Sequence, residues 1–205
     1  RADHLVGILN GIDAASWNPA TDAFLPRPYS ADDLSGKRAS KSAVLEHYGL
    51  PVDAAALDRP LIGMISRMVA QKGLDLLDRL SAELPHLGAS IVVLGTGEPR
   101  YQDMWRRLAA EHPSVIGVQI GFDEGLAHRI EAGADLFLMP SLFEPCGLNQ
   151  MYSQRYGTPP VAHATGGLAD TIVDCTPLSL AAGQATGFLF NEDRKSTRLN
   201  SSHRT

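Results

Sequence analysis

From about residue 60 onward, apolar residues form six short runs separated by longer stretches that mix apolar and polar residues. The runs read PLIGMIS, SIVVLG, VIGVQIG, DLFLMPS, PPVAHAT and TGFLF. In the segments after the first five runs, apolar residues recur at helical spacing. The pattern predicts strands alternating with helices, as in βαβ units that build a parallel sheet.

The predicted helices lie near residues 73–84, 101–111 and 124–132, and in the segments GLNQMYSQRYG and GGLADTIVD. The strand runs are continuously apolar, which is typical of strands covered by helices on both faces. Right-handed crossovers between such strands give a doubly wound sheet. We therefore expect an α/β fold with a Rossmann-like, doubly wound parallel sheet.

The composition narrows the class of protein. The 205 residues are 44% hydrophobic and 20% charged, with a net charge of −5, which argues against a broad nucleic-acid or anionic membrane surface.

Two cysteines are too few for a disulfide framework or a zinc ligand set, and no signal peptide or membrane-length apolar run is evident. A cytoplasmic location is expected. His112, His128 and His163 lack ligand spacing, so no metal is expected.

The two ends of the sequence differ from the rest. RADHLVGILNGID begins inside an apolar run without Met, so a truncated N-terminus is expected. DRKSTRLNSSHRT, residues 193–205, has one apolar residue and resembles a translated sequencing adapter, which we interpret as an artefact. That tail holds four basic residues and one acidic residue, so the remaining chain carries −8.

The loops after the predicted strands hold the candidate chemistry, because ligands of open α/β sheets bind at the carboxyl ends of the strands. The loop after the first strand, SRMVAQKG, carries Arg67 and Lys72, and the loop after the fourth, SLFEPCGLNQ, carries Glu144. The other three loops read GTGEPRY, GFDEG and ATGGLADT. All five bring glycines or charged residues to one edge, which predicts a binding site there.

Each candidate also has an ordinary structural explanation. Arg67 and Lys72 near a helix start oppose the helix dipole, which favours a bound anion over a simply solvated turn. Gly166 and Gly167 before an apolar helix suit phosphate, although a loop that needs positive φ would also use glycine. Glu144 alone could be a turn residue, since turns and helix starts are common places for glutamate.

An incomplete glycine motif, a phenylalanine and a cysteine give little support for other functions. GTGEPRY has Arg100 where the third glycine of a dinucleotide fingerprint belongs, which disfavours NAD binding. Phe122 could be a core residue, as most phenylalanines are. Cys146 has no cation near it in sequence, which favours a packing thiol over a reactive one.

Seven motifs spread over residues 7–192 resemble those of bacterial glycogen synthases and the related starch synthases. They are GILNGID, WNPATD, YSADDLSGK, SRMVAQKGLDLL, AHRIEAGADLFLMPS, FEPCGLNQ and TGGLADT. The resemblance implies a retaining ADP-glucose glucosyltransferase of GT-B architecture, in which two Rossmann-like domains face a cleft. It implies an interdomain junction and the start of the C-terminal domain in residues 1–58, and an ADP-glucose-binding domain in residues 59–192.

The resemblance also implies roles for three charged residues. Arg67 and Lys72 match the pair that contacts the ADP diphosphate in that family. Glu144 matches the glutamate that faces the glucosyl group. The broader retaining GT-B pattern has a second glutamate eight positions later, where this sequence has Tyr152. A single carboxylate weakens any double-displacement mechanism.

Donor-binding roles are implied for five more residues. Gly166 and Gly167, with Thr165 before them in the same motif, match the segment that approaches the phosphate and the sugar. Asn10 matches an asparagine near the donor sugar, and Phe122 stands where an aromatic ring stacks on adenine. No cofactor or metal is implied; the expected partners are ADP-glucose, an α-1,4-glucan and the N-terminal GT-B domain.

The resemblance implies glucosyl transfer to the 4-OH of a glucan's non-reducing end, with retention of configuration. Without the N-terminal domain, the chain is expected to bind ADP weakly and to transfer nothing. Two alternatives stay open. One is a retaining GT-B transferase that uses another nucleotide sugar, and the other is a non-catalytic nucleotide-binding module.

Overall fold

The computed structural model describes residues 7–191, so the adapter-like tail, residues 193–205, lies outside the described part. The strands are β1 (Leu61–Ile65), β2 (Ser90–Gly95), β3 (Ile116–Ile120), β4 (Leu136–Met139), β5 (Pro160–His163) and β6 (Phe188–Phe190). The α-helices are α1 (Ser35–His47), α2 (Ala54–Asp58), α3 (Leu74–Arg79), α4 (Pro99–Glu111), α5 (Glu124–Gly133), α6 (Asn149–Arg155), α7 (Gly166–Thr171) and α8 (Pro177–Ala181). Nothing among these helices has both the length and the apolar character needed to cross a membrane.

The sheet confirms the predicted fold class. Its strand order is β3-β2-β1-β4-β5-β6, and every neighbouring pair is parallel. The chain winds outward from β1 to β3 and then returns to β4 on the other side of β1. The order therefore reverses between β1 and β4, the type of position where doubly wound folds bind ligands.

Apolar residues cover both faces of the sheet, as the continuous strand runs predicted. On β2, Val92 and Leu94 pack into a core with residues of α1, α5 and α7. Ile91 and Val93, which point to the opposite face, pack with residues of α3 and α4. The domain thus has three layers, and the sheet between them holds the loops of one edge in fixed positions.

Two predicted helices have different bounds in the structure. The helix expected over residues 73–84 ends at Arg79, and a short 3-10 turn spans Leu84–His86. The C-cap of α3 is Leu80, and Pro85, which lacks an N–H, lies in the separate turn that follows. The helix expected in GGLADTIVD ends at Thr171, and Ile172 is extended.

The sequence pattern did not predict α1, α2 or α8. Residues 7–34, the described part of the chain before α1, form neither helix nor strand, yet they are tied to the helical layer. Trp17 stacks between His128 and Tyr152, with ring centroids 3.8 Å and 3.7 Å away. Asp22, buried beside them, accepts a hydrogen bond from Tyr156 (2.5 Å) and pairs with His128 Nδ1 (2.7 Å).

Replacing Asp22 with alanine is expected to lower the free energy of unfolding by about 2–4 kcal/mol, because two buried polar partners lose their acceptor. Urea denaturation of the chain measures this loss. Exposed Asp32 provides the matched control, and Asp32→Ala should change the stability by less than about 0.5 kcal/mol. Equal stabilities for the two variants would contradict a structural role for the Asp22 network.

Burial also shifts the pKa of two groups near this segment. The pKa of Glu131 is raised well above its ordinary value, chiefly by burial. Burial lowers the pKa of Lys37 to about 8, although its Nζ donates to Ala132 O (2.8 Å) and Thr158 Oγ1 (2.6 Å). Glu131 belongs to α5, and the Lys37 hydrogen bonds join α1 to α5 and to the segment before β5.

Candidate active site

A pocket of about 190 Å³ lies where the strand order reverses. The carboxyl ends of β1 and β4 and the start of α6 form its walls. Its lining consists of Met64, Ile65, Ser66, Arg67, Lys72, Leu138, Met139, Pro140, Ser141, Glu144, Gly147, Leu148 and Asn149. The structure thus brings Arg67, Lys72 and Glu144 together from two loops that are distant in sequence.

Lys72 and Glu144 form an ion pair inside the pocket. Their side chains are only 18% and 10% exposed, so each charge depends on the other for compensation. Ser141 Oγ also donates to Glu144 Oε2, at 3.3 Å. Arg67 is exposed at the pocket, and no side chain within residues 7–191 forms an ion pair with it.

The segment that carries Arg67 is fixed against the loop after β2. Ser66 N–H donates to Leu94 O (3.1 Å), and Met68 N–H donates to Thr96 O (2.7 Å). A Cβ on Gly95 would lie 1.9 Å from Ser66 O, so only glycine allows this approach. The backbone of Arg67 is therefore held in place before any ligand binds.

The two glycines of the TGGLADT motif allow the loop after β5 to touch the Glu144 loop. Gly166 has a φ of +45°, and a Cβ there would lie 2.2 Å from Glu144 O. A Cβ on Gly167 would lie 2.2 Å from Cys146 O. Gly167 N–H donates to Glu144 O at 2.9 Å, so in this structure that N–H already has a partner. The glycines position the backbone that carries Glu144.

The remaining predicted site residues surround the pocket at different distances. Thr165 Oγ1 donates to Leu142 O (3.4 Å), next to the Glu144 loop. Asn10 N–H contacts Cys146 Sγ at 3.4 Å, which brings the N-terminal segment to the same loop. Phe122 follows β3 at the edge of the sheet, outside the pocket lining, and is 84% exposed. Its ring surface is free to stack on a flat ligand.

Several residues that organise the site were not identified from the sequence. Asn149 Nδ2 donates to Ile65 O (2.9 Å) and joins α6 to β1. His163 Nδ1 lies 3.0 Å from Ser141 O and joins β5 to the loop after β4. Asn149 belongs to the FEPCGLNQ motif and His163 is the last residue of β5, but their partners are far away in sequence, so no local pattern indicates these contacts.

The charges of the pocket suit an anion better than a metal. Two cations and one carboxylate leave a net positive charge, which favours a phosphate-bearing ligand. Within residues 7–191, no group of three or more His, Cys, Asp or Glu side chains could hold a metal ion. Both cysteines are free thiols. The site therefore offers fixed cations and one buried carboxylate.

The parallel sheet with helices on both faces has the fold of a GT-B glycosyltransferase domain. The model of the family described as glycosyl transferases group 1 matches residues 51–199. The chain belongs to the glycosyl transferases group 1 family.

Within this family the sequence is similar to bacterial glycogen synthases. It is 56% identical to the glycogen synthase of Nitrosospira multiformis over 94% of this chain and 38% of that protein. It is 51% identical to glycogen synthase 1 of Methylococcus capsulatus over 100% of this chain and 41% of that protein. The chain thus spans about two fifths of the length of these curated relatives.

A solved structure shows the same similarity. The catalytic domain of starch synthase IV from Arabidopsis thaliana, bound to ADP and acarbose, superposes with a TM-score of 0.83 at 38% identity. The alignment covers 98% of this chain and 42% of that chain. The expected family and fold are therefore confirmed.

Proposed function

We propose that this chain is the donor-binding half of a glycogen or starch synthase. The complete enzyme would transfer glucose from ADP-glucose to the non-reducing end of an α-1,4-glucan, with retention. The observation that carries this proposal is the Lys72–Glu144 ion pair in a pocket between β1 and β4. The similarity of the chain to bacterial glycogen synthases supports the choice of ADP-glucose and an α-1,4-glucan as substrates.

The proposed donor pose follows from the charges of the pocket. The diphosphate would lie against Arg67 and Lys72, the only two cations that line the described pocket. Glu144 would face the glucosyl group, and Phe122 at the open edge of the sheet would stack on the adenine. Asn10 and Thr165–Gly167 would complete the sugar and phosphate contacts.

In the proposed reaction, negative charge develops on the departing diphosphate as the bond to the sugar breaks. Cations already fixed in a partly dry pocket stabilise that charge without reorganising. The second carboxylate position of the broader pattern is Tyr152, which stacks on Trp17 instead of facing the pocket lining. A front-face transfer, in which the leaving phosphate helps to deprotonate the acceptor, fits a site with a single carboxylate.

The proposal includes no metal and no cofactor, because Arg67 and Lys72 would provide the positive charge for the diphosphate. The proposed enzyme is cytoplasmic. The acceptor glucan and the N-terminal GT-B domain would close the site from the opposite side of the cleft, so the 205-residue chain alone should bind ADP but transfer no glucose.

ADP is expected to bind the 205-residue chain with a Kd between micromolar and millimolar. Arg67→Ala should weaken binding at least tenfold, because it removes the pocket cation that has no ion-pair partner. Isothermal titration calorimetry measures both affinities. Arg106→Ala is the matched control, since Arg106 is an exposed arginine that pairs with Asp103 on α4. Absence of binding by the unmodified chain would favour a fragment without a working site.

Donor competition in the complete protein separates the proposal from its enzymatic alternative. Preference for ADP-glucose over UDP-glucose supports a glycogen or starch synthase, whereas the opposite preference identifies a different nucleotide sugar. ADP binding without transfer of glucose by the complete protein would indicate a non-catalytic nucleotide-binding module.

A further inference from the structure

Gln71 joins the loop after β1 to the loop after β4 through both its backbone and its side chain. Its carbonyl oxygen accepts a hydrogen bond from Leu142 N–H at 2.9 Å. Its side-chain Nε2 donates to Phe143 O at 3.0 Å. One residue therefore binds two consecutive positions of the opposite loop, directly before Glu144.

The residues that follow Gln71 contact the same loop. Lys72 pairs with Glu144. A Cβ on Gly73 would lie 2.0 Å from Pro140 O, so the two backbones touch there. Three consecutive residues thus connect the loops, and the Gln71 amide is the contact that can be removed without changing a charge or the backbone.

The Leu142–Phe143 segment is not held by burial of its side chains. Leu142 is 48% exposed and Phe143 is 58% exposed, so neither gains much stability from packing in the core. The next residue, Glu144, is 7% exposed. Hydrogen bonds therefore fix the backbone that leads into Glu144, and Gln71 provides those to Leu142 N–H and Phe143 O.

We propose that Gln71 is a positioning residue, which holds the Glu144 loop in register with Lys72 during glucosyl transfer. This inference rests on the proposed function. Gln71 is assigned no contact with the donor. Its hydrogen bonds fix the position of Glu144 relative to Lys72. In the proposed reaction these two groups act on opposite ends of the scissile bond, where small displacements strongly reduce the rate.

Gln71→Met in the complete protein tests the proposal, because methionine keeps the length and neutrality of glutamine but cannot donate a hydrogen bond. The value of kcat is expected to fall about tenfold, while KM for ADP-glucose stays within about twofold. Gln154→Met is the control. Gln154 Nε2 makes a similar bond to Thr171 O (3.1 Å), but that bond joins α6 to α7, so both parameters should be unchanged.

Amide hydrogen exchange provides a second measurement that does not depend on activity. In the 205-residue chain, Gln71→Met should speed exchange of the Leu142 amide about tenfold, whereas Gln154→Met should not. An unchanged kcat, or a raised KM with unchanged kcat, would overturn the positioning role. If the unmodified complete protein transfers no glucose, the proposed function fails. Unchanged Leu142 exchange would separately show that the Gln71 side chain does not hold the Glu144 loop.

Discussion

Lys72→Ala in the complete protein is expected to lower kcat/KM for ADP-glucose about a hundredfold or more. Removing one preorganised charge-stabilising group from a site of this kind costs about 3 kcal/mol of transition-state stabilisation. Lys72 is fixed beside Glu144 in a pocket with little exposure, so its charge is little screened by water. Steady-state kinetics with ADP-glucose and a glucan primer measure the effect.

The same substitution should also destabilise the domain, because it leaves the Glu144 carboxylate buried without its partner. A loss on the order of 2–3 kcal/mol is expected for the 205-residue chain. Adding Glu144→Gln should recover most of that stability by removing the stranded charge, but it should not recover activity. An unchanged kcat/KM for Lys72→Ala would refute the catalytic role of this lysine.

Gly166→Ala is expected to lower the free energy of unfolding by about 3 kcal/mol. Two costs act together: a φ of +45° disfavours any residue with a side chain, and the new Cβ would lie 2.2 Å from Glu144 O. The backbone must shift to relieve that contact, and the shift should move Glu144 in the pocket. Urea denaturation of the chain and ADP titration measure both effects.

Gly157→Ala provides the matched control for Gly166→Ala. Gly157 also has a positive φ, +67°, but a Cβ there meets nothing within 4 Å. Its replacement should cost only the conformational strain, about 1 kcal/mol, and should leave ADP binding unchanged. If both variants lose the same stability, the contact between Gly166 and the Glu144 loop has no energetic importance.

The sequence predicted the sheet well because buried parallel strands have a local signature. The runs around β1 and β2 are almost entirely apolar, and a charged residue or a glycine follows each of them within two residues. Because a helix connects each strand to the next, the strands are expected to be parallel. Their carboxyl ends then lie at one edge of the sheet, which is the edge that holds the site. Arg67, Lys72 and Glu144 could therefore be expected near one another.

The contacts that were missed depend on residues far apart in the chain. Asp22 and Tyr156 are separated by 134 positions, and neither has a neighbour in sequence that indicates the pairing. The resemblance implies an interdomain junction and the start of the C-terminal domain for residues 1–58, and it indicates neither α1 nor the stack on Trp17. The hydrogen bond from Gln71 Nε2 to Phe143 O likewise depends on a loop conformation that only the structure shows. The roles assigned to all the predicted site residues remain predictions: Asn10, Arg67, Lys72, Phe122, Glu144, Thr165, Gly166 and Gly167.

The separation of Lys72 from Glu144 has a consequence for folding. These two residues are 72 positions apart, and α3, β2, α4, β3, α5 and β4 lie between them, so the pocket can form only once that long intervening segment has closed. A nucleotide that binds this pocket has no complete target in the unfolded chain. Bound ligand should therefore raise the stability of the domain as a cooperative unit, by an amount set by its concentration relative to Kd.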